Sequence, residues 1–330
     1  MHPDSPTPHL SSAEAQTRLR AAVHSKAVEQ YYAMYSSLLG GIVTDPAFMV
    51  IPIDDHMVHR GHAVFDTAVV TDGYVYQLDP HMDRLLESAR LAKIAPPKSR
   101  AQLRQIILDT ITVAGRRAAS VRYWLSAGPG GFGLSSTECV TSSFFVMVFA
   151  GLQYPESYYT QGMKIITSQV PIKPPFFARV KSTNYLPNAL VVMEAKEKGA
   201  DNGLFLDERG LLAEGSNMNL AIVTPDGVLR HPAFDRILAG ITIQRLLQLS
   251  QSLVQNGLLK GIAVEDITLE TARSAREMVL VGSTIKVAPV VEWDGRPVGD
   301  GKPGPVARAL YELWCKDQAN EAGQLVPIAY

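Results

Sequence analysis

From residue 47 onward, short runs of β-branched and aromatic residues alternate with stretches whose apolar positions recur at helical spacing, the pattern of a mixed α/β chain. FMVIPI (48–53), HAVFDTAVV (62–70) and YVYQL (74–78) read as strands. The last two meet at Asp72-Gly73, a dipeptide that accepts the positive φ of a tight hairpin turn. Asp79 then caps a helix, with Pro80 at its first position and Arg84 in its first turn or so. Leu85, Ala89 and Ala92 lay one apolar face of that helix on the sheet. A second helix carries Leu103, Ile107, Ile111 and Ala114 on one side, and strands SVRYWLSA (120–127) and SFFVMVFA (143–150) follow. The segment GLQYPESYYTQG (151–162) mixes Gly, Pro and polar residues, as a linker does.

Beyond it come a strand in KIITSQV (164–170), the proline-rich IKPPFFARVK (172–181) and a helix from about Pro187 to Lys198 that stops at Gly199. Lys181 thus sits just ahead of a helix. GLFLD (203–207) and LLAEG (211–215) form a hairpin around Glu208, Arg209 and Gly210. MNLAIV, a turn at Asp226-Gly227 and VLRHP come next. A helix then begins around Ile241 and Thr242 and ends near Asn256-Gly257, striped by Leu246, Leu249 and Leu253. Strands EMVLVG and KVAPVVEW and a helix through ARALYELW complete the pattern. The expected organisation is a disordered or helical extension over 1–40, a small α/β domain over 41–150, a linker over 151–162 and a larger domain over 163–330.

Composition narrows the function more than the fold. The 330 residues are 46% hydrophobic, enough for a sizeable core in two domains. Lys and Arg (31) nearly balance Asp and Glu (32), so no global field exists to hold nucleic acid or an anionic membrane. Partners are therefore expected to be small molecules or copies of the chain itself. Cys139 and Cys315 stand far apart in no metal or disulfide spacing, which points to a reducing compartment and inert thiols. No apolar run reaches the roughly 20 residues of a membrane span, and MHPDSPTPHLSS lacks a secretion signal, reading instead as a disordered stretch or a transit-peptide remnant. The cytosol or an organelle interior, plastid or mitochondrion, is the expected location.

Two motifs are decoys. Gly128, Gly130 and Gly133 match G-x-G-x-x-G after a strand, but a dinucleotide loop must run into a helix, and here another strand follows. These glycines shape a loop near a site instead. His56, His59 and His62 invite a metal, yet residues three apart on a strand face opposite ways and no other ligands complete a sphere. No metal is expected.

Lys181, in ARVKSTNYLPN, a partly apolar stretch without acidic residues, is a different matter, since desolvation would favour its nucleophilic amine over the ammonium. A solvated surface lysine is the plainer reading of that segment alone. Glu214 ends an apolar strand before the turn Gly215, Ser216, Asn217, where a carboxylate could face a ring nitrogen, or simply water. Gly240, Ile241 and Thr242 open a helix whose N–H groups suit phosphate, Ser283 and Thr284 offer hydroxyls, and Arg84 offers a countercharge from the other domain.

Taken together, HMDRLLESA, VKSTNYLPNAL, LLAEGSNMNLAIV, ILAGIT, LVGSTIKVAPV and GDGKPGPVARAL resemble, in order and spacing, the fold type IV pyridoxal-phosphate (PLP) aminotransferases, from about residue 47 to the end. Through AMYSSLLGGIVTDPAFMVIPIDDHMVHRGHAVFD and SVRYWLSAGPGG the chain is most similar to the plant-type D-amino-acid transaminases, a group that includes aminodeoxychorismate lyases. The resemblance implies a small α/β domain beside a larger one with a mixed, barrel-like sheet, and a homodimer with its site at the subunit interface. It implies Lys181 as Schiff-base lysine and proton shuttle, Glu214 at the pyridine nitrogen, Tyr185 near the 3-oxygen and Leu238 on the ring face. Arg84, Ile241, Thr242 and Ser283 fall on the phosphate, with Ser216, Asn217, Gly240 and Thr284 beside them. His59, Arg122 and Trp124 are the substrate candidates. Bacterial D-amino-acid transaminases carry a carboxylate-binding arginine where this chain has Ala127, and bacterial lyases carry one near Phe132. The carboxylate must be held otherwise, by Arg122 or by backbone N–H groups, although Arg122 also reads as a structural ion-pair residue.

The implied activity moves an amino group from a D-amino acid to pyruvate or 2-oxoglutarate in a ping-pong cycle. Release of 4-aminobenzoate by a lyase, transfer from an (R)-amine, and transfer from a branched-chain L-amino acid are the variants within the family. A cofactor-free binding protein or a nicotinamide oxidoreductase is the reading from another class.

Overall fold

The computed structural model describes residues 7–319 and 324–330. Two sheets carry the architecture. The first has seven strands in the order Leu325–Pro327, Tyr74–Tyr76, Ala63–Thr71, Ala119–Ser126, Ser143–Phe149, Tyr31–Ser36 and Gly41–Val43, antiparallel throughout. Asp72 (φ 52°) and Gly73 (φ 88°) make the hairpin turn between its second and third members. Helices Leu78–Leu91 and Arg100–Ala114 cover one face and bury Met82, Leu85, Ala89, Leu103, Ile107 and Ile111 against it.

The second sheet is mixed, with strands ordered Gly261–Val264, Val228–His231, Asn219–Val223, Glu277–Gly282, Lys286–Trp293, Met163–Thr167, Asn202–Leu206 and Leu212–Gly215. It curls so that its last strand, Leu212–Gly215, comes beside Asn219–Val223, with Gly215 N–H donating to the Met218 carbonyl at 2.8 Å in the turn that joins them. Both faces are dry. Met278 and Leu280 point into the curl with Leu220 and Ile222, while Val279 and Val281 meet helices Ile241–Leu249 and Pro305–Gln318 on the outside. Period-two alternation onto two apolar layers is why EMVLVG reads as an unbroken hydrophobic run.

Several elements depart from the sequence-based expectation. FMVIPI is not a strand: Asp45 caps a single turn at Pro46–Phe48, and Pro46 and Pro52 remove the donors a ladder needs. Asp79 does not cap its helix, which begins at Leu78 behind Gln77, whose φ is 52°. Asp79 pairs instead with Arg100 (2.9 Å) and Arg104 (3.3 Å). The helix from Ile241 breaks at Leu249, where Ser250 Oγ donates to the Leu246 carbonyl at 2.6 Å, and resumes as Gln251–Gln255. His56 and His59 lie on one helical turn, His56–Arg60, rather than on a strand. Of the expected extension, residues 1–6 fall outside the described residues, Ser12–Ala21 and Ser25–Gln30 are helices, and Tyr31–Ser36 is a strand within the first sheet. Leu325–Pro327 returns to that same sheet, pairing with Tyr74–Tyr76. No helix among the described residues is long and apolar enough to cross a membrane.

Candidate active site

A cavity of about 280 Å³ opens between the two sheets, and Lys181 enters it from a segment sewn to the first. Phe65 N–H donates to the Lys181 carbonyl and Thr183 N–H to the Ala63 carbonyl, both at 2.9 Å, while Lys181 N–H donates to Ser88 Oγ at 3.2 Å. Main chain held on both sides fixes where the side chain starts. Its Nζ lies 3.2 Å from Tyr185 Oη and 4.7 Å from the centre of the Phe65 ring. Burial, reinforced by the Arg84 charge, lowers the Lys181 amine to about 7. The surface-lysine reading therefore fails. Tyr185 stands at the N-cap of helix Leu186–Glu197, edge-on to Phe65 at 5.1 Å, its phenol raised to about 12 by burial.

Glu214 reaches the cavity from the end of strand Leu212–Gly215. Its Oε2 accepts Leu238 N–H at 3.3 Å, and burial lifts the carboxyl to about 7 against the opposing pull of Lys173. Asn219 Nδ2 donates to the Leu238 carbonyl at 2.9 Å, which pins the loop before helix Ile241–Leu249. Gly240 caps that helix with no side chain, so the first N–H groups are left for a ligand. A Cβ at Gly240 would collide with Asn219 Oδ1. Gly240→Ala is accordingly expected to weaken PLP binding by about tenfold or more, read by titrating cofactor absorbance; unchanged affinity would remove this turn from the phosphate site.

Beside the helix start, Thr242 Oγ1 and Ser283 Oγ stand 3.3 Å apart. Ser283 Oγ is 3.5 Å from His81 Nε2, and His81 Nδ1 is 2.8 Å from Asp66 Oδ1. Arg84 donates from Nε and Nη2 to the two oxygens of Asp66, each at 2.8 Å, and from Nη1 to the Ala239 carbonyl at 3.2 Å. Burial alone would raise the Asp66 carboxyl, but the adjoining Arg84 charge outweighs it and holds the group far below the usual carboxylate range. Burial lowers His81, which leaves Arg84 as the countercharge. Asp66 and His81 escaped the sequence reading. Their signals were an acid facing inward from an apolar strand, and a histidine three residues before Arg84 on one helix face.

Arg84, Lys181, Tyr185, Glu214, Ser216, Asn217, Leu238, Gly240, Ile241, Thr242, Ser283 and Thr284 all line this one cavity, and so does Arg122. His59 and Trp124 do not. His59 is held away, against Phe132 (5.0 Å) and 3.3 Å from the Asp54 carbonyl. Phe65, the register partner of Trp124, takes the place on the wall. Lys173, from the proline-rich segment, lines the cavity unforeseen. The donor set suits PLP: a buried amine, a buried carboxylate for a ring nitrogen, and a helix start with two hydroxyls and a guanidinium for a phosphate.

Without cofactor these groups penalise the fold at neutrality. Lys181 at about 7 lies below its ordinary 10.5, so the stability it lends is complete above 10.5 and lost as pH falls through 7. Glu214 at about 7 lies above its ordinary 4.5, so its contribution is complete below 4.5 and lost as pH rises through 7. In cofactor-free protein, the Tm advantage of Lys181→Met over wild type is expected to grow as pH drops from 10.5 to 7. A pH-independent difference would contradict the buried amine.

Comparison with known proteins places the chain in context. Residues 63–293 match the family described as amino-transferase class IV. The chain is 48% identical to the chloroplastic D-amino-acid transaminase of Arabidopsis thaliana, over 95% of its own length and 83% of that protein. It is 26% identical to the D-alanine aminotransferase of Bacillus licheniformis, over 82% and 93%. Among solved structures, the T.th. branched-chain amino acid aminotransferase with pyridoxamine 5'-phosphate superposes with a TM-score of 0.83 at 26% identity, over 91% of this chain and 99% of that one.

Proposed function

The chain belongs to the class IV aminotransferases, and from that premise we propose that it moves an amino group from a D-amino acid to pyruvate or 2-oxoglutarate. The observation that carries the reading is the buried Lys181 amine facing a buried carboxylate and an open helix start across one cavity. The D-amino-acid assignment draws support from the Arabidopsis and Bacillus relatives.

PLP bound there supplies an aldehyde that condenses with amines and a ring that accepts the electron pair left when a Cα proton departs. Arg84, the N–H groups of Ile241 and Thr242, and the Ser283 hydroxyl would hold the phosphate, with Ser216, Asn217, Gly240 and Thr284 shaping the same wall. With PLP bound, Glu214 would set its carboxylate at the pyridine nitrogen and Leu238 would pack on the ring. Tyr185 Oη, which accepts from Lys181 Nζ, would face the 3-oxygen. With PLP bound, Lys181 Nζ would accept the proton from the substrate Cα and release it on the far side of the substrate nitrogen. Burial that lowers this amine favours its neutral form, which can take up a proton. Arg122, its Nε fixed on Thr67 Oγ1 at 2.9 Å, receives the substrate carboxylate in place of the arginines absent at Ala127 and Phe132.

The working unit is a homodimer with each site at the subunit interface, located in the cytosol or an organelle such as the plastid. A panel of D-alanine, D-methionine, L-leucine, (R)-1-phenylethylamine and aminodeoxychorismate, with pyruvate or 2-oxoglutarate where transfer is possible, tests the substrate. Turnover on L-leucine alone would overturn the D-amino-acid assignment, and 4-aminobenzoate formation alone would make the enzyme a lyase. Protein that stays colourless with PLP supplied would overturn the whole reading.

A further inference from the structure

Besides Lys181, two cations on the cavity wall have no ion-paired carboxylate among the described residues. Arg84, by contrast, is neutralised by Asp66. Arg122 spends its Nε on Thr67 Oγ1, and its guanidinium carbon lies 5.2 Å from the centre of the Phe65 ring. Its terminal nitrogens make no hydrogen bond among the described residues, so the two-pronged side is free for a planar anion. Lys173 sets its ammonium 4.8 Å from the centre of the Tyr185 ring. Lys181 Nζ lies against these same two rings, 4.7 Å from the centre of Phe65 and 5.6 Å from that of Tyr185. The proposed reacting nitrogen is therefore flanked by two aromatic rings, each of which also carries a second cation.

Charge decides what such a wall prefers. Arg84 is engaged by Asp66, and on the rest of the wall Arg122, Lys173 and Lys181 stand with Glu214 as the one carboxylate that lines the cavity. Arg122 is pressed toward its neutral form by burial, a cost that an anionic ligand would offset. A ligand with one carboxylate leaves one of the two cations unanswered, and a ligand with two answers both. The two cations also differ in kind. Arg122 is oriented by Thr67 and suits bidentate contact, whereas Lys173 is a point charge on a long flexible stem, suited to the movable end of a chain.

Resting on the transaminase reading, we propose that Arg122 and Lys173 form a divided carboxylate clamp: Arg122 grips the carboxylate beside the reacting carbon, and Lys173 the far carboxylate of a dicarboxylic substrate. Lys173 is thus a specificity-determining residue, favouring dicarboxylic over monocarboxylic acids. The competing role for Lys173 is support of Glu214, on which it is the foremost positive charge.

Calorimetric titration of PLP-loaded enzyme with glutarate and with butyrate, neither of which can react, separates these roles. Lys173→Gln is expected to weaken glutarate by about tenfold or more and butyrate by far less, while Arg122→Gln weakens both. Lys173→Arg, which keeps the charge, is expected to restore glutarate. In steady state Lys173→Gln raises KM for 2-oxoglutarate much more than it changes kcat. Unchanged glutarate affinity in Lys173→Gln, or equal losses of both acids, overturns the clamp. A shifted visible spectrum with glutarate intact overturns it too, by assigning Lys173 to Glu214. Each of those results leaves a coloured wild-type enzyme, whereas a colourless one fails the transaminase reading itself.

Discussion

Lys181→Ala is expected to lower kcat on a D-amino acid by about 10³-fold or more and to abolish the covalent label that borohydride leaves on the wild-type holoenzyme. The size follows from two losses at one atom. The nucleophile disappears, and so does the only amine placed within hydrogen-bond reach of Tyr185 Oη among the described residues. Lys173 cannot stand in, because its ammonium is aligned on the Tyr185 ring rather than held against Phe65 as Lys181 is. Turnover near wild type in Lys181→Ala would show that proton transfer runs through another group. Peptide mapping of the reduced wild-type protein supplies the complementary reading, with the label expected on the peptide that contains residue 181.

Asp66→Ala is expected to destabilise the protein by about 3–5 kcal/mol, the range for removing one partner of a buried ion pair. Asp66 is fully buried and accepts from both the Arg84 guanidinium and the His81 ring, so its loss strands a cation and a donor in a dry wall. Arg84 also loses the restraint that aims it across the cavity, so PLP affinity is expected to fall with stability. Asp66→Asn keeps an acceptor and should cost less. Denaturant midpoints with and without PLP measure both effects, and a loss below about 1 kcal/mol would show that Arg84 and His81 find partners elsewhere.

Where these residues sit explains how much of the site could be read from letters alone. Lys181, Glu214 and the Gly240–Thr242 helix start stand at element ends, where strand-to-turn and turn-to-helix signals are local and strong. Asp66 was hidden because its chemistry depends on a helix residue 15 positions away in sequence, which no local pattern reveals. Lys173 was hidden for the same reason, lying in a proline-rich stretch with no period of its own. His59 and Trp124 lie off this cavity, His59 against Phe132 and Trp124 as the register partner of Phe65, placements that residue type alone does not reveal. In the fold, the alternating runs of both sheets were legible, whereas YYAMYS at 31–36 and LVP at 325–327 were not. Each is short, and each becomes a strand only because an edge from distant sequence receives it.

The pairing of residues 325–327 with Tyr74–Tyr76 has a bearing on biosynthesis. Until that C-terminal segment has emerged from the ribosome, Tyr74–Tyr76 remains an open flank, its main-chain donors and acceptors facing whatever is nearby. That edge is translated long before the strand that covers it, so the nascent chain carries an unsealed β-edge over the whole intervening stretch.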